Sequence, residues 1–466
     1  MKCLGCAAAV GMLLAGCAAP IRHEAVKTPD LPPAWRAQWE TAADAPRSSA
    51  SPEPAARSSE STQQAWWQAF GDARLDSLVE AALANNPDLA MAALTVHRAR
   101  LEAGRVGAET GPQAALAASI DATRAFDENR VRALTGVTAT VAYELDLWGK
   151  IAAKRDEASW RAQASEADRQ AAALALVGAT AKLYWRIGYL NETIALAQAD
   201  ILDAQRTLAL AQARLAAGAA SPLDVARARQ QLAQTQAELT QWRQQRESQR
   251  NAMALLIGEL PEHRGAEPPD LDAAIVPPVA ARLPAHVLAG RPDLQAAERR
   301  VRARAAHVDF ARASFYPSFT LTGELGTSSD MLVRVMQNPV ASIGAALALP
   351  FVQWNTVRLN AALAETELEQ ETLKFRQTLY RALGDVEDAL AAKAQLTEKS
   401  AHLAQSLGAA NDAAMLARTR YDGGATDIAP LLDAQRVERA AAMARTENRL
   451  ALLENRIDLF LALGGA

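Results

Sequence analysis

Four short stretches of the chain alternate between apolar and polar residues, which is the pattern of a strand with one apolar and one polar face. In the first stretch Leu116 and Ile120 alternate with Ser119 and Asp121. The predicted strands cover about 113–124, 135–148, 315–326 and 342–352, each near the length that a tilted strand needs to cross a bilayer. By itself the alternation favours a soluble, half-buried hairpin, so a membrane role depends on other features.

Each strand pair is followed by an unusually long helical pattern. From Ala173 to Leu215, apolar or small residues recur in steps of four and three, as in the seam of a coiled coil. A break at residues 218–222 and a return helix complete a coiled-coil hairpin over about 151–257, and a second hairpin covers about 357–463. At 1.5 Å per residue the longer helix of each hairpin spans roughly 100 Å.

The two halves of the chain are copies of one unit. Asn86-Pro87-Asp88-Leu89 is matched by Arg291-Pro292-Asp293-Leu294, at an offset of 205 residues. Trp148 and Trp354, Arg214 and Arg420, and Gly218 and Gly424 are matched at an offset of 206. We therefore predict a first repeat over 64–258, a Pro-rich connector over 259–283 and a second repeat over 284–466.

The N-terminus has the features of a processing signal. Lys2 precedes a short apolar run that ends in Leu14-Ala15-Gly16-Cys17, which resembles a bacterial lipoprotein processing site. This pattern predicts a signal peptide over 1–16, a mature chain that begins at a Cys17 carrying diacylglycerol and an N-acyl group, and an extended Pro-rich tether over 17–63. The alternative is an ordinary signal peptide with a coincidental cysteine. Cleavage would also remove Cys3 and Cys6, which excludes disulfides and thiol catalysis.

Composition and charge exclude several classes of function. Half of the 466 residues are apolar and 22% are charged, so the chain is not disordered as a whole. A formal charge of −4, with basic residues spread along the chain, argues against nucleic acid as a partner. The six histidines are far apart, and neither a phosphate-binding loop nor a nucleophile elbow is present, so we expect no enzyme, metal or cofactor other than the lipid.

Four strands cannot close a membrane barrel, since the smallest bacterial barrels have about eight. An open edge in lipid would leave backbone groups unpaired, so the chain has to oligomerise if its strands cross the membrane. A trimer would supply twelve strands, and the long helices would continue as a hollow coiled-coil cylinder. The geometry therefore favours a tunnel.

The ordered, duplicated motifs resemble the TolC-type outer-membrane factors, in their lipoprotein branch of multidrug efflux channels. The resemblance runs from about Gln64 to Gly464. Besides the two Pro-Asp-Leu motifs, it rests on Tyr143-Glu144-Leu145-Asp146-Leu147-Trp148-Gly149, Ala313-Ser314-Phe315-Tyr316-Pro317, Arg420-Tyr421-Asp422-Gly423-Gly424 and Leu431-Leu432-Asp433-Ala434-Gln435-Arg436. It implies a mixed, mainly α fold: a homotrimer with a 12-stranded transmembrane β-barrel and a long α-helical periplasmic tunnel.

The resemblance also implies a function in the outer membrane. The trimer would be the exit channel of a tripartite efflux system, joined through a periplasmic adaptor protein to an inner-membrane transporter. Two alternatives stay open: the channel of a one-step polypeptide secretion system, and a non-conducting, lipid-anchored coiled-coil surface protein. The second explains the heptads and the lipid but not the four duplicated strands.

Two sets of site residues follow from the resemblance. Arg420, Tyr421, Asp433 and Asp224 would form a periplasmic gate between neighbouring helices. Asp224 has no acidic counterpart in the second repeat, where the matching residue is Pro430. The hairpin turns would contact the adaptor through Gly218, Ala219, Ser221, Gly423, Gly424 and Ala425. From the residues alone, both sets also fit ordinary helix caps and solvated side chains beside a turn.

Overall fold

The computed structural model describes residues 65–125, 130–262, 265–271, 274–277, 285–329 and 339–465. The elements of the first repeat are α1 (Ala73–Asn85), α2 (Pro87–Glu109), β1 (Gln113–Ala125), β2 (Arg130–Leu145), α3 (Lys150–Ala216) and α4 (Pro222–Leu256). Those of the second repeat are α5 (Pro292–Ala313), β3 (Ser318–Ser329), β4 (Pro339–Ala348), α6 (Trp354–Asp422) and α7 (Ala429–Ala462). Cys17 and the predicted signal and tether lie outside the described residues.

The chain divides into two compact units that cut across the repeats. Among the described residues, one unit holds 93–168 and 295–378, and the other holds the remainder. The units differ from the predicted repeats because the long helices α3 and α6 each pass from one unit into the other. In the described part of the chain, no helix is both long and apolar enough to cross a membrane.

The first unit contains one antiparallel sheet in the order β1-β2-β3-β4. Leu116 lies opposite Ala139, Ala139 opposite Leu325, and Leu325 opposite Ala341. In this register, the apolar positions of all four strands lie on the same face, while Ser119, Thr140 and Glu324 belong to the other. The two-faced strands predicted by the alternation therefore align into one two-faced sheet.

The strand limits differ from the prediction by several residues. β2 was expected to reach residue 148 but ends at Leu145, because the carboxylate of Asp146 accepts hydrogen bonds from the N–H groups of Ile151 and Ala152 at 3.0 and 2.8 Å. Asp146 thus satisfies two free donors at the start of α3. β3 begins at Ser318 rather than 315, and β4 lies at Pro339–Ala348 rather than 342–352.

The second unit is built around a large aromatic core. Trp66 and Phe70 pack against Phe460 of α7, with the Trp66 and Phe460 rings stacked 5.2 Å apart. Tyr184 and Trp185 of α3 complete the core and are almost fully buried. The coiled-coil seam predicted for α3 is buried at Leu176, Leu183, Ile187, Leu190 and Ile194, whereas Leu215, at its end, is exposed. Burial of this seam explains why so long a helix is stable.

Candidate functional site

The candidate site comprises the two turns that join the long helices of each hairpin, together with the helix ends beside them. Both turns belong to the second unit. Gly218 and Gly424 each have φ of 73°, and the N–H groups of Ala219 and Ala425 donate to the carbonyls of Arg214 and Arg420 at 2.7 and 2.9 Å. These bonds close two equivalent Schellman caps, which require the left-handed conformation that glycine tolerates.

Only the first turn has a capping box. The Ser221 hydroxyl accepts a hydrogen bond from the N–H of Asp224, whose carboxylate accepts one from the N–H of Ser221. These bonds to Ser221 hold the pKa of Asp224 below its ordinary value. Ile428, which precedes α7, makes no such side-chain bond. Asp224 therefore fixes the start of α4, and its place in a gate stays a prediction.

Tyr421 lies at the centre of a small core where the two hairpin ends meet. It is 2% exposed and packs with Ala211, Val225, Ile428 and Leu431. The Tyr421 hydroxyl is buried without a hydrogen-bond partner among the described residues. Burial raises the pKa of Tyr421, and the charge of Arg214 opposes that rise. Within the chain Tyr421 thus acts as the apolar centre of the joint.

Arg214, which no sequence motif marked as a site residue, makes the polar contacts of this joint. Its guanidinium lies 4.2 Å from the Tyr421 ring centroid and donates to the carbonyls of Tyr421 and Asp422. The carbonyls of a helix end are unpaired, so a cation is favoured there. Arg214 therefore ties the end of α3 to the end of α6. In the sequence, only the match between Arg214 and Arg420 at the repeat offset indicated that Arg214 could belong to this site.

The other predicted gate residues lie apart from this contact. Arg420 is exposed, although it is adjacent to Tyr421 in sequence. Asp433 pairs with Arg436 of its own helix, and both side chains are about two-thirds exposed. Among the described residues of one chain, neither Arg420 nor Asp433 links two helices. Whether they do so between chains is a separate prediction.

A group of charged residues, which no sequence pattern marked, lies further along the same helices. Asp200 of α3 lies 4.0 Å from Arg439 of α7, and Asp203 lies 3.4 Å from Arg418 of α6. Burial raises the pKa of Asp200 to about 6, against the attraction of Arg439 and with added repulsion from Glu438. No group of three His, Cys, Asp or Glu side chains in the described ranges is placed to hold a metal.

Comparison with known proteins gives a consistent result over both repeats. The family model described as "Outer membrane efflux protein" matches residues 78–259 and 283–465. The pyoverdine export outer membrane protein OpmQ of Pseudomonas putida is 32% identical over 419 residues, which are 86% of this chain and 88% of that protein. Outer membrane protein OprJ of Pseudomonas aeruginosa is 32% identical over 424 residues, covering 86% of each chain.

A solved structure gives the same result for the fold. The outer-membrane channel OprN superposes with a TM-score of 0.84 at 26% identity, over 96% of this chain and 99% of that one. The predicted fold class, mainly α with four strands per chain, is confirmed.

Proposed function

Because the chain belongs to the outer membrane efflux protein family, we propose that it is the outer-membrane exit channel of a tripartite efflux system. Three copies would form the channel, and a periplasmic adaptor would join it to an inner-membrane transporter. OpmQ is named for the export of pyoverdine, which favours small molecules over polypeptides as cargo. The channel sits in the outer membrane with its helical hairpins in the periplasm.

The observation that carries the trimer is a difference between the two repeats. Inside one chain, α5 of the second repeat packs on α3 of the first, with Arg300 bound to Asp168 at 2.5 Å and His307 to Glu157 at 3.0 Å. On α3 this contact region includes the buried residues Ala153 and Ala167. The equivalent pair in the other order would be α2 packed on α6, but the matching positions on these two helices are exposed.

The surfaces for that missing contact are exposed and apolar. Leu359, Leu363 and Leu373 of α6 are the repeat matches of Ala153, Glu157 and Ala167, yet they are 58%, 63% and 61% exposed. On α2, Leu94 and Leu101 match Arg299 and Ala306 of α5 and are 67% and 60% exposed. Such stripes on two helices mark an interface. Docking α2 of one copy on α6 of the next repeats the internal contact and leads to a closed ring.

The sheet supports the same assembly. Among the described strands, β1 and β4 each pair on one side only, and the apolar face carries exposed side chains such as Leu116 and Ile343. In lipid an apolar outer face is favourable, while a free edge is costly. Pairing β4 of one copy with β1 of the next removes every edge in a trimer of twelve strands.

The gate of this channel would lie at the hairpin ends. In a trimer the first and second repeats alternate around the channel. The contact that Arg214 makes with the end of α6 inside one chain would then be repeated between copies, with Arg420 in the place of Arg214. Arg420 of one copy would donate to the carbonyls of Leu215 and Ala216 in the next. The within-chain joint has the Tyr421 ring and the between-chain joint has Leu215, so the second is the weaker and opens first. Asp433 and Asp224 would line the same constriction.

The experiment that tests the function combines mass and conductance. We expect the purified protein to be a trimer in detergent and to conduct in planar bilayers. Leu101→Glu and Leu363→Glu should each yield monomers, because each places a charge in the proposed interface, while Leu223→Glu, at an exposed position beside the first turn, should leave the trimer intact. A monomeric wild-type protein, or a trimer that never conducts, would contradict the proposal and favour a non-conducting surface protein.

A further inference from the structure

Arg456, on α7 in the second unit, is a buried cation with no counter-charge among the described residues. The residue is only 6% exposed, and its Nη1 atom finds no hydrogen-bond partner in the part of the chain that the structure describes. Burial lowers the pKa of Arg456, and no carboxylate of the described residues opposes that shift. An arginine nevertheless stays protonated near neutral pH. A buried charge of this kind is strongly unfavourable unless an anion accompanies it.

The first repeat shows how the same position is normally satisfied. Arg250 is the match of Arg456 at the offset of 206, and its guanidinium binds Glu247 at 2.7 Å and Glu267 at 2.6 Å. The match of Glu247 is Leu453, which is apolar and fully buried. Glu267 comes from the irregular segment after α4, and no described residue takes its place beside Arg456. The second repeat has therefore kept the cation and replaced the acid.

The second repeat has also gained a further cation. Lys393 of α6 is half-buried, and burial lowers its pKa, which repulsion from Arg456 lowers further. Its match in the first repeat is Ile187, which lines a small cavity together with Arg250 and Glu267. The second repeat thus has two neighbouring cations where the first repeat has one cation and two acids. Repulsion between them would destabilise the fold unless both bind an anion.

Two of the nearby carboxylates, those of Asp385 and Asp458, are already paired with other cations. The groove between α6 and α7 is lined by Asp385, Asp388 and Asp458. Asp385 binds Arg291 at 3.1 Å and Asp458 binds Lys182 at 2.5 Å. Arg456 does not line this groove. No carboxylate among the described residues of the same chain pairs with Arg456, so its anion has to come from another source.

We propose that Arg456 and Lys393 form a binding site for a carboxylate. One source is the N-terminal segment that precedes Trp66. The Trp66 ring stacks on Phe460, one helical turn from Arg456, and residues 18–63 contain Glu24, Asp30, Glu40, Asp44, Glu53 and Glu60. The other source is a dissolved carboxylate, which would enter beside Lys393. The chemistry of recognition, a bidentate guanidinium supported by an ammonium, is the same for both.

The test is thermal unfolding of the full-length protein in a carboxylate-free buffer, with and without citrate. Arg456→Met replaces the charge by an apolar chain of similar length. If a carboxylate is bound, this variant melts at least about 3 °C below the wild type. If the charge is truly unpartnered, Arg456→Met melts higher than the wild type, and the proposal is wrong. Lys393→Met should follow Arg456→Met in sign and be smaller.

The source is identified by two further arms. A variant with all six N-terminal acids changed to amides should lose most of the difference between wild type and Arg456→Met if the segment supplies the carboxylate. A wild-type melting temperature that rises with citrate, but not in Arg456→Met, identifies a dissolved ligand. Arg250→Met is the control, since it should destabilise the protein independently of both. If Arg456→Met is destabilising to the same extent with and without the N-terminal acids, and with and without citrate, the effect reflects lost packing and the proposal is wrong.

Discussion

The guanidinium of Arg214 lies over the ring of Tyr421, 4.2 Å from its centroid, and joins the ends of two helices that are 207 residues apart in sequence. The contact combines a cation–π interaction with bonds to two free helix carbonyls. The hydrophobic core around Tyr421 is small, so the two helix ends can separate without exposing more than a few apolar side chains. This is the kind of joint that a reversible closure needs.

The first prediction concerns this joint. Arg214→Met keeps the chain length but removes the cation–π contact and the carbonyl bonds, worth about 0.5–2 kcal/mol for the ring contact. We expect the open form to become about 2- to 30-fold more populated, seen as higher mean conductance in planar bilayers. Arg229→Met, a mid-helix change on α4, is the control. Equal conductance of Arg214→Met and wild type would show that the joint does not limit opening.

The second prediction concerns the joint between copies. Leu215→Tyr gives Arg420 of the neighbouring copy the ring that Arg214 already has, so the weaker joint should become as strong as the other. Conductance should fall, by a factor similar to the rise in the first prediction. Leu202→Tyr places a ring at another exposed position of α3 and should leave conductance unchanged. A Leu215→Tyr channel that conducts like the parent would rule out Arg420 as its partner.

The third prediction is a pH dependence at Asp200. Its pKa is raised from 3.8 to about 6 in the folded chain, chiefly by burial. The folded state therefore holds the proton more tightly, and stability falls as pH rises from about 4 to 6. Asp200→Asn should raise the free energy of unfolding above pH 6, by on the order of 1–3 kcal/mol. At pH 4 this increase in the free energy of unfolding should vanish. If Asp200→Asn is still more stable than the wild type at pH 4, the increase comes from packing and not from the charge of Asp200.

The fourth prediction concerns the adaptor. Ala219 and Ala425 follow the capping glycines of the two turns, and small residues there allow a helical tip to approach closely. Ala219→Glu and Ala425→Glu should weaken crosslinking to the adaptor while the trimer stays intact by mass. The Schellman bonds use backbone atoms, so the turns themselves should survive. Unchanged crosslinking would place the adaptor elsewhere.

The fifth prediction concerns Cys17, which we propose carries the acyl groups. More than one chain gives firm attachment to a membrane, whereas one is marginal. Cys17→Ser should lower the amount of protein in the outer membrane more than its conductance, because the strands insert independently. Mass spectrometry of the mature N-terminal peptide checks the lipid directly. An unmodified peptide would remove this assignment.

The features that sequence alone determined are those with a local or periodic cause. The alternation around Leu116 and Ile120 predicted strands, the steps of four and three through Leu183 and Ile187 predicted a buried seam, and Gly218 and Gly424 predicted the turns. Each depends on residues close together in the chain, whose geometry is set by side-chain period and backbone φ. The duplication was also visible, because a constant offset needs no structure to be measured.

The tertiary structure decided which residues meet. Asp146 lies outside the strand in which alternation placed it, because its carboxylate accepts hydrogen bonds from the free N–H groups at the start of α3. The ring of Tyr421 contacts Arg214 and not its sequence neighbour Arg420. Adjacent residues on a helix point about 100° apart, so the cation comes from the end of another helix. Likewise, Arg250 and Arg456 are equivalent in sequence, and only the fold shows that one has its acids and the other does not.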